Sequence, residues 1–244
     1  KNFQEASNMA ATGFFSALAA GLLICIVGQI FLEPLAYLLG STPTILPYTE
    51  AYLRVILLGA PWMASSLVLN NQLRFQGSAS YAMVGIVSGA ILNIALDPLL
   101  IFVFDLGVAG AGWATIISQL VSGLWCLWVM MRKFPVLKMS ADDKRIRKPF
   151  IRRLLSMGLP FGLQYSITAI GSVTVTIAVN GLGTIAIAAV TAAGKLSMLF
   201  CIVFDALASA MATFAGQNVG ARKLDRVRSG VRTMTFVMLG YAAV

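Results

Sequence analysis

The chain has 244 residues, of which 59% are hydrophobic and only 11% are charged, and its mean hydropathy is +0.86. A soluble protein of this length covers its surface with far more charge, so the composition excludes one or two ordinary soluble domains. The formal net charge of +9 comes from clusters that flank apolar runs, which favours anionic lipid headgroups over nucleic acid as the partner. The chain contains no histidine, which excludes histidine-ligated metal sites and histidine-based catalytic triads.

Long apolar runs with few charges predict helices that span a membrane. In chain order the predicted spans are Ala10–Leu32, Ala51–Leu69, Ala82–Phe104, Ala109–Met131, Leu154–Leu182, Thr184–Gly216 and a seventh that begins near Val231. At about 1.5 Å of rise per residue, each complete run is long enough to cross a bilayer. The sequence therefore predicts an all-α integral membrane protein, built as a polytopic helical bundle.

Basic residues fall in alternate loops between these spans. All of the 18 Lys and Arg residues except Arg54 and Lys195 lie in loops on one side. By the positive-inside rule that side is the cytoplasm, so the start of the chain is predicted to be cytoplasmic. A long basic connection divides the chain into an N-terminal lobe portion with four spans (residues 1–132), a cytoplasmic linker (133–153), and a C-terminal lobe portion with two spans and the beginning of a third (154–244).

The third predicted span carries a regular polar face. Four residues recur at every fourth position and so lie on one side of a helix: Gly85, Gly89, Asn93 and Asp97. The glycines predict close approach of a neighbouring helix, and Pro98 frees a backbone carbonyl one turn earlier. Carboxylate, amide and carbonyl oxygens suit a small hard cation or a proton relay, and an ionisable group inside a span usually has a function. The alternative is that Asp97 only caps or kinks the helix near a membrane face.

Three further spans carry polar side chains inside apolar runs. The fourth adds the hydroxyl of Thr115, and the sixth adds Lys195 and Asp205. The fifth has a polar ribbon with a four-residue spacing, formed by Gln164, Thr168, Ser172, Thr176 and Asn180. Hydrogen bonding between helices and a water-lined pathway are both open interpretations of the ribbon. We interpret Lys195 and Asp205 as charge partners of groups on other helices, with snorkelling of Lys195 to the membrane surface as the alternative.

Several short motifs together resemble the multidrug and toxic compound extrusion (MATE) family. They are GAILNIALDP at Gly89–Pro98, GVAGA at Gly107–Ala111, LRFQG at Leu73–Gly77, GLP at Gly158–Pro160 and GQNVGA at Gly216–Ala221. The resemblance extends over essentially the whole chain, and the combination is more specific than any one motif.

The resemblance implies a fold of two six-helix lobes, of which this chain would hold spans three to nine. It assigns Asn93, Asp97 and Thr115 to a coupling-cation site, which would bind Na⁺ if the transporter is Na⁺-coupled. It also places Tyr52 and Asn70 in the same cavity. With the polar ribbon and the intramembrane charges, the predicted substrate cavity comprises Tyr52, Asn70, Gln164, Thr168, Ser172, Lys195 and Asp205. A carboxylate on the first helix of the family would lie outside this sequence.

The expected function is therefore secondary active export. Cationic amphipathic compounds would leave the cell in exchange for Na⁺ or H⁺ by alternating access in a multi-pass protein of the cell membrane. We expect no enzymatic activity, no cofactor beyond the coupling ion, and a monomer at full length. A flippase for lipid-linked saccharides is the alternative, and its phosphate-bearing cargo would call for basic residues in the cavity. A seven-helix photoreceptor with Lys195 as its retinal-binding lysine is the remote alternative.

Overall fold

The computed structural model describes residues 3–134 and 148–243. These residues form helices joined by short turns, in two compact units that comprise residues 1–166 and 167–244. The helices are α1 (Phe3–Ile30), α2 (Leu32–Leu38), α3 (Leu46–Phe75), α4 (Ala79–Pro98) with a π-helical turn (Leu99–Val103), α5 (Gly107–Lys133), α6 (Lys148–Asn180), α7 (Thr184–Gly220) and α8 (Leu224–Ala242).

The predicted all-α membrane architecture is confirmed. Six of the described helices are long and apolar enough to cross a bilayer: α1, α3, α4 with its π-helical turn, α5, α6 and α7. Five of these six helices begin before the apolar segments that predicted them; α3, for example, begins at Leu46 rather than Ala51. This extension is expected because backbone hydrogen bonding continues where the composition becomes polar.

Two helices differ from the prediction. The short helix α2 lies in a segment that was predicted to be a loop, where an apolar stretch from Leu32 to Leu38 forms two turns. Helix α8 begins at Leu224, earlier than the predicted Val231, and its first turns carry Asp225 and several basic residues. Because of those charges it is not among the six helices that meet the criteria for a span.

Helix α3 forms the centre of the first unit and packs against α1, α4 and α5. Small residues allow the close approach. A Cβ atom added to Gly21 of α1 would lie 2.5 Å from the Cα of Pro61, and one added to Gly59 of α3 would lie 2.5 Å from Cγ1 of Ile116 on α5. The backbones therefore meet where glycine leaves room, which is the usual way in which membrane helices associate.

A buried core lies at one end of this bundle, where α1 and α4 begin and α3 and α5 end. Its residues are Ala10, Leu69, Leu73, Ala82, Cys126, Val129 and Met130. Polar side chains cross-link the same end: Gln72 Nε2 donates to the carbonyl of Ala10 at 2.9 Å, and Trp125 Nε1 donates to that of Tyr81 at 3.3 Å. These bonds connect α3 to α1 and α5 to α4, so the helix starts are held in register.

The predicted linker 133–153 lies partly outside the described residues. Helix α5 ends at Lys133 and α6 begins at Lys148, both within the predicted range. The division of the chain into two lobe portions and a cytoplasmic linker stays a prediction.

In the second unit, α7 and α8 pack against each other. Gly230 of α8 faces the ring of Phe214, and a Cβ atom at this position would collide with its Cε1. The rings of Phe204 and Tyr241 meet edge to face with centroids 5.2 Å apart, and the Tyr241 hydroxyl donates to the carbonyl of Phe200 at 3.4 Å. Aromatic side chains therefore hold this helix pair together.

Candidate functional site

The polar face of α4 lies against α5, as the two glycines predicted. A Cβ atom at Gly85 would lie 2.8 Å from Sγ of Cys126, and one at Gly89 would lie 3.1 Å from the carbonyl oxygen of Ser118. Any larger residue at Gly85 would collide with α5. The predicted close approach is thus confirmed, and it brings Asn93, the next polar position of α4, to the same interface.

Asn93 and Asp97 form one polar pair a single turn apart. The Asn93 Nδ2 amide donates to Oδ1 of Asp97 at 3.4 Å, and both side chains are half-buried. This distance is at the long end of the hydrogen-bond range, so the bond is weak. The geometry leaves the Asn93 carbonyl oxygen and the second Asp97 oxygen as acceptors, which a cation or a proton needs.

The helix changes geometry directly after this pair. Residues Leu99–Val103 form a π-helical turn behind Pro98, and the carbonyl oxygen of Leu100 would lie 2.7 Å from a Cβ atom at Gly110. The widened backbone therefore rests directly on the first turns of α5. Such π-helical turns occur often at functional sites, and this one anchors the Asp97 end of α4 to its neighbour.

Asn93 and Thr115 line one cavity of about 280 Å³ between α4 and α5. The other lining residues are Ile86, Gly89, Ala90, Ser118, Gln119 and Ser122. The Thr115 hydroxyl donates to the carbonyl of Ala111 at 3.0 Å, which leaves its oxygen free to accept from, or coordinate, a ligand. Asp97 is connected to the cavity through its bond to Asn93. The structure thus brings Asn93 and Thr115 together at one cavity, whereas Asp97 is linked to them through Asn93 alone.

Sequence reasoning did not select two serines of this cavity, Ser118 and Ser122. They follow Thr115 on α5 at helical spacing and so share its face. That periodicity was the available signal. It was not applied to the two serines, because serine in a membrane helix commonly hydrogen-bonds its own backbone or a neighbouring helix.

The donor set fits a hard monovalent cation better than a transition metal. It offers amide, hydroxyl and carboxylate oxygens, without a thiolate or an imidazole in the cavity. Among the described residues, no group of three or more His, Cys, Asp or Glu side chains is placed to hold a metal ion. One carboxylate with neutral oxygens matches Na⁺, and it equally matches a proton that neutralises Asp97.

Tyr52 and Asn70, both predicted to line the substrate cavity, occupy different environments on α3. Tyr52 is 36% exposed, whereas Asn70 is 5% exposed. The Asn70 amide donates to the carbonyl of Ala82 at 2.9 Å and approaches Sγ of Cys126 at 3.8 Å. Neither residue lines the cavity between α4 and α5. The structure places Asn70 as a buried link between helices, and the substrate role of both residues stays a prediction.

The remaining predicted cavity residues lie on α6 and α7, where they are exposed: Gln164, Thr168, Ser172, Lys195 and Asp205. Part of the polar ribbon is satisfied on its own helix, because Thr176 Oγ1 donates to the carbonyl of Ser172 at 2.9 Å. A bond within one helix supports neither hydrogen bonding between helices nor a water-lined pathway for that residue. The assignment of these residues to a substrate cavity stays a prediction.

Comparison with known proteins gives a family match. The family model MatE matches residues 1–99 and 160–244, a range that includes Asn93 and Asp97. The multidrug export protein MepA of Staphylococcus saprophyticus is 29% identical over 188 residues, which are 77% of this chain and 42% of that protein. MepA of Staphylococcus aureus MRSA252 is 29% identical over 66% of this chain and 36% of its own length. The chain thus spans less than half the length of these relatives.

Solved structures give the same fold. A crystal structure of MATE in the bent conformation has a TM-score of 0.85 at 25% identity and covers 96% of this chain and 53% of its own. An outward-facing multidrug resistance MATE family transporter of the MOP superfamily also scores 0.85, at 26% identity over 96% of this chain and 52% of its own. A MOP superfamily transporter from Pyrococcus furiosus, whose binding pocket is described as having reverse polarity, scores 0.86 at 25% identity over 97% and 53% of the two chains.

Proposed function

Because this chain belongs to the MatE family of multi-pass membrane transporters, we propose that the protein exports cationic amphipathic compounds in exchange for Na⁺ or H⁺. The likeness to the MepA multidrug export proteins supports the cargo class. The observation that carries the coupling is the arrangement of Asn93, Asp97 and Thr115 around the interface of α4 and α5.

The chemistry of this arrangement favours a competition between two positive charges. A carboxylate inside a membrane span costs several kcal/mol, roughly 2–4 on insertion scales, so Asp97 gains by binding a cation or a proton. An ion coordinated by Asp97, Asn93 and Thr115 would take up acceptor oxygens that the structure leaves available. A cationic substrate drawn to the same negative charge would be displaced when the ion binds.

Coupling then requires that the ion prefer one of two arrangements of the helices. An ion shifts the balance between two conformations only through its difference in affinity for them. The π-helical turn Leu99–Val103 lies directly after the pair and against Gly110 of α5. A change at Asp97 is therefore transmitted to a backbone segment of irregular geometry, where helices bend most readily.

The proposal also covers the location, chemistry and oligomeric state that the sequence predicted. We propose a location in the cell membrane with the start of the chain cytoplasmic, no enzymatic activity, no resident cofactor and a monomeric full-length protein.

The cavity between α4 and α5 is lined by no basic side chain. A phosphate-bearing cargo calls for several basic groups, and Lys195 is the single basic residue in the predicted substrate cavity, which favours the exporter over the flippase.

Dye transport in everted vesicles that contain the full-length protein tests the proposal. An imposed Na⁺ or pH gradient drives uptake of an ethidium-type dye, and wild type is compared with Asp97→Asn. The matched control is Asp105→Asn, because Asp105 lies in the turn before α5 at φ 53°, a conformation that asparagine tolerates. We expect Asp97→Asn to lose gradient dependence while the control keeps it, and the effective gradient identifies the ion.

Two results contradict the proposal. If Asp97→Asn inserts normally and transports like wild type, the coupling group lies elsewhere. If wild type moves no dye under either gradient, export of cationic compounds is wrong, and transport of a lipid-linked saccharide becomes the function to test.

A further inference from the structure

Aromatic and basic side chains meet where α4 begins and α5 ends. The rings of Trp125 and Trp128 lie with their centroids 5.5 Å apart, and Trp125 Nε1 donates to the carbonyl of Tyr81. A cation lies at each end of this row. The Arg132 guanidinium is 5.8 Å from the centre of the Trp128 ring, and Lys133 Nζ is 4.6 Å from the centre of the Tyr81 ring. We call these five residues the aromatic–basic cluster.

The two cations of the cluster keep most of their hydrogen-bond donors. Lys133 Nζ donates one bond, to the Tyr81 hydroxyl at 2.6 Å, and an ammonium group has three donors. Within the described residues Arg132 has only its ring contact, and such a contact uses none of the five N–H donors of a guanidinium. Both side chains are exposed. An anion can therefore accept hydrogen bonds from either residue while the ring contacts stay in place.

The positive charge near the cluster exceeds the acidic charge that could neutralise it. The segment from Arg132 to Arg153 contains nine basic residues and two acidic ones, Asp142 and Asp143. Both acidic residues lie outside the described part of the chain, and together they could neutralise at most two of the nine cations. The surplus of positive charge favours a negatively charged ligand at this end of α5.

The exposed tryptophans of α5 place the cluster at the membrane surface. Trp113, near the start of the helix, is 41% exposed, and Trp128, near its end, is 50% exposed. Tryptophan is enriched at both boundaries between membrane and water. The 19 residues from Trp113 to Arg132 span about 28 Å of helix, which nearly equals the hydrocarbon thickness of roughly 30 Å. With Trp113 at one boundary, Arg132 and Lys133 lie at the level of the headgroups at the other.

We propose that the aromatic–basic cluster binds the headgroup of an anionic phospholipid. The phosphate accepts hydrogen bonds from Arg132 and Lys133. The acyl chains lie along the exposed ring of Trp128 and along two exposed apolar side chains of the same face of α5, Leu124 and Val121. Each cation near the surface raises the preference for an anionic lipid about fivefold. The site does not depend on the proposed export function, because lipid binding requires no transport.

Fluorescence quenching by brominated lipids tests the site in the full-length protein. One form keeps only Trp125 and Trp128, and a matched form keeps only Trp113, with all other tryptophans replaced by phenylalanine. Both are reconstituted into phosphatidylcholine vesicles that contain dibrominated phosphatidylglycerol or, at the same fraction, dibrominated phosphatidylcholine. At the cluster we expect phosphatidylglycerol to bind about tenfold or more tightly than phosphatidylcholine. At Trp113 we expect nearly equal binding, because the first turns of α5 carry no basic residue and Asp105 precedes them.

Substitutions that remove one charge then locate the preference. Arg132→Gln and Lys133→Gln, each in the form that keeps the cluster tryptophans, should each lower the preference about fivefold, whereas Arg132→Lys should retain most of it. Arg228→Gln is the matched control. Arg228 is an exposed residue of α8 on the same predicted side of the membrane, and its substitution changes the net charge by the same amount. We expect this control to leave the preference within about twofold of its original value.

Several results would overturn the proposal. Equal binding of the two lipids at the cluster excludes a site for an anion, and an absence of quenching by either lipid means that protein covers this face. An equal preference at Trp113, or an equal loss with Arg228→Gln, means that the net charge of the protein attracts the lipid. A preference that survives both Arg132→Gln and Lys133→Gln assigns the headgroup to other residues. Dye transport is not measured, so failure of the exporter function leaves these outcomes unchanged.

Discussion

The crossing of α1 and α3 at Gly21 gives a sharp test of how this bundle is packed. The perturbation is Gly21→Ala. A Cβ atom there would lie 2.5 Å from the Cα of Pro61 and 2.7 Å from the carbonyl oxygen of Ala60. Both atoms belong to the backbone of α3, so no side chain can rotate away, and the two helices must separate. Gly13→Ala on the same helix is the control, because its nearest neighbours would lie 3.8 Å away.

The size of the effect follows from these distances. Carbon atoms in contact lie about 3.5–4.0 Å apart, so Gly21→Ala falls short by roughly 1 Å or more. Overpacking of this kind costs about 1–3 kcal/mol. Replacing glycine by alanine inside a helix gains roughly 0.5–1 kcal/mol, and this gain is shared by both variants. We therefore expect Gly21→Ala to be less stable than Gly13→Ala by about 1–3 kcal/mol, which is several degrees in the thermal midpoint.

Thermal unfolding of the detergent-solubilised full-length protein measures this difference. Cys126 is 0% exposed, so a thiol-reactive dye reports unfolding when the other cysteines are replaced. The two variants are heated in parallel with wild type. Equal midpoints for Gly21→Ala and Gly13→Ala, or a higher midpoint for Gly21→Ala, would refute the packing described for α1 and α3.

Three further predictions follow from individual side chains. Asn70→Ala should lower the thermal midpoint by the equivalent of about 1–3 kcal/mol, because it removes the bond to the Ala82 carbonyl and leaves a void; Asn70→Leu, which fills the void, should recover part of the loss. Tyr81→Phe should change the free energy of unfolding by less than about 1 kcal/mol, because it loses the exposed hydrogen bond from Lys133 Nζ at 2.6 Å but keeps the ring beneath that cation. A larger loss in the same melting assay would contradict this account. If Na⁺ is the coupling ion, Thr115→Val should raise the Na⁺ concentration for half-maximal dye transport by about tenfold, whereas Thr115→Ser should keep the wild-type concentration. Equal Na⁺ concentrations for the valine and serine variants would remove Thr115 from the site.

Much of the fold followed from composition taken one segment at a time. The apolar runs predicted the six long helices that the structure contains, although α3 extends further at both ends and α8 starts earlier. The spacing of Gly85 and Gly89 predicted close approach of a neighbouring helix, and the structure identifies that helix as α5. Helix α2 escaped prediction because two turns of helix between polar segments carry too short an apolar pattern to distinguish.

The candidate site was predictable only in part. Asn93 and Asp97 share a helix, so their hydrogen bond depends on four-residue spacing alone. Asn70 carried the same kind of polar signal as Asn93, yet it is buried against α4, whereas Asn93 lines a cavity. Spacing along one helix cannot distinguish a buried side chain from one that lines a cavity, because the difference depends on the residue that faces the side chain from another helix.

The sequence by itself determined that this chain is a set of membrane-spanning helices and where each one lies. That is possible because a helix in hydrocarbon satisfies its backbone hydrogen bonds internally, so spanning depends on the local composition. Only the tertiary structure decided which polar groups are hydrogen-bonded to another helix and which have no partner in the protein. Asn70 finds the Ala82 carbonyl across an interface, while Ser118 finds a cavity and no protein partner. The physical reason is that hydrogen bonds between helices need contact within about 3 Å, and that contact is set by how neighbouring helices pack.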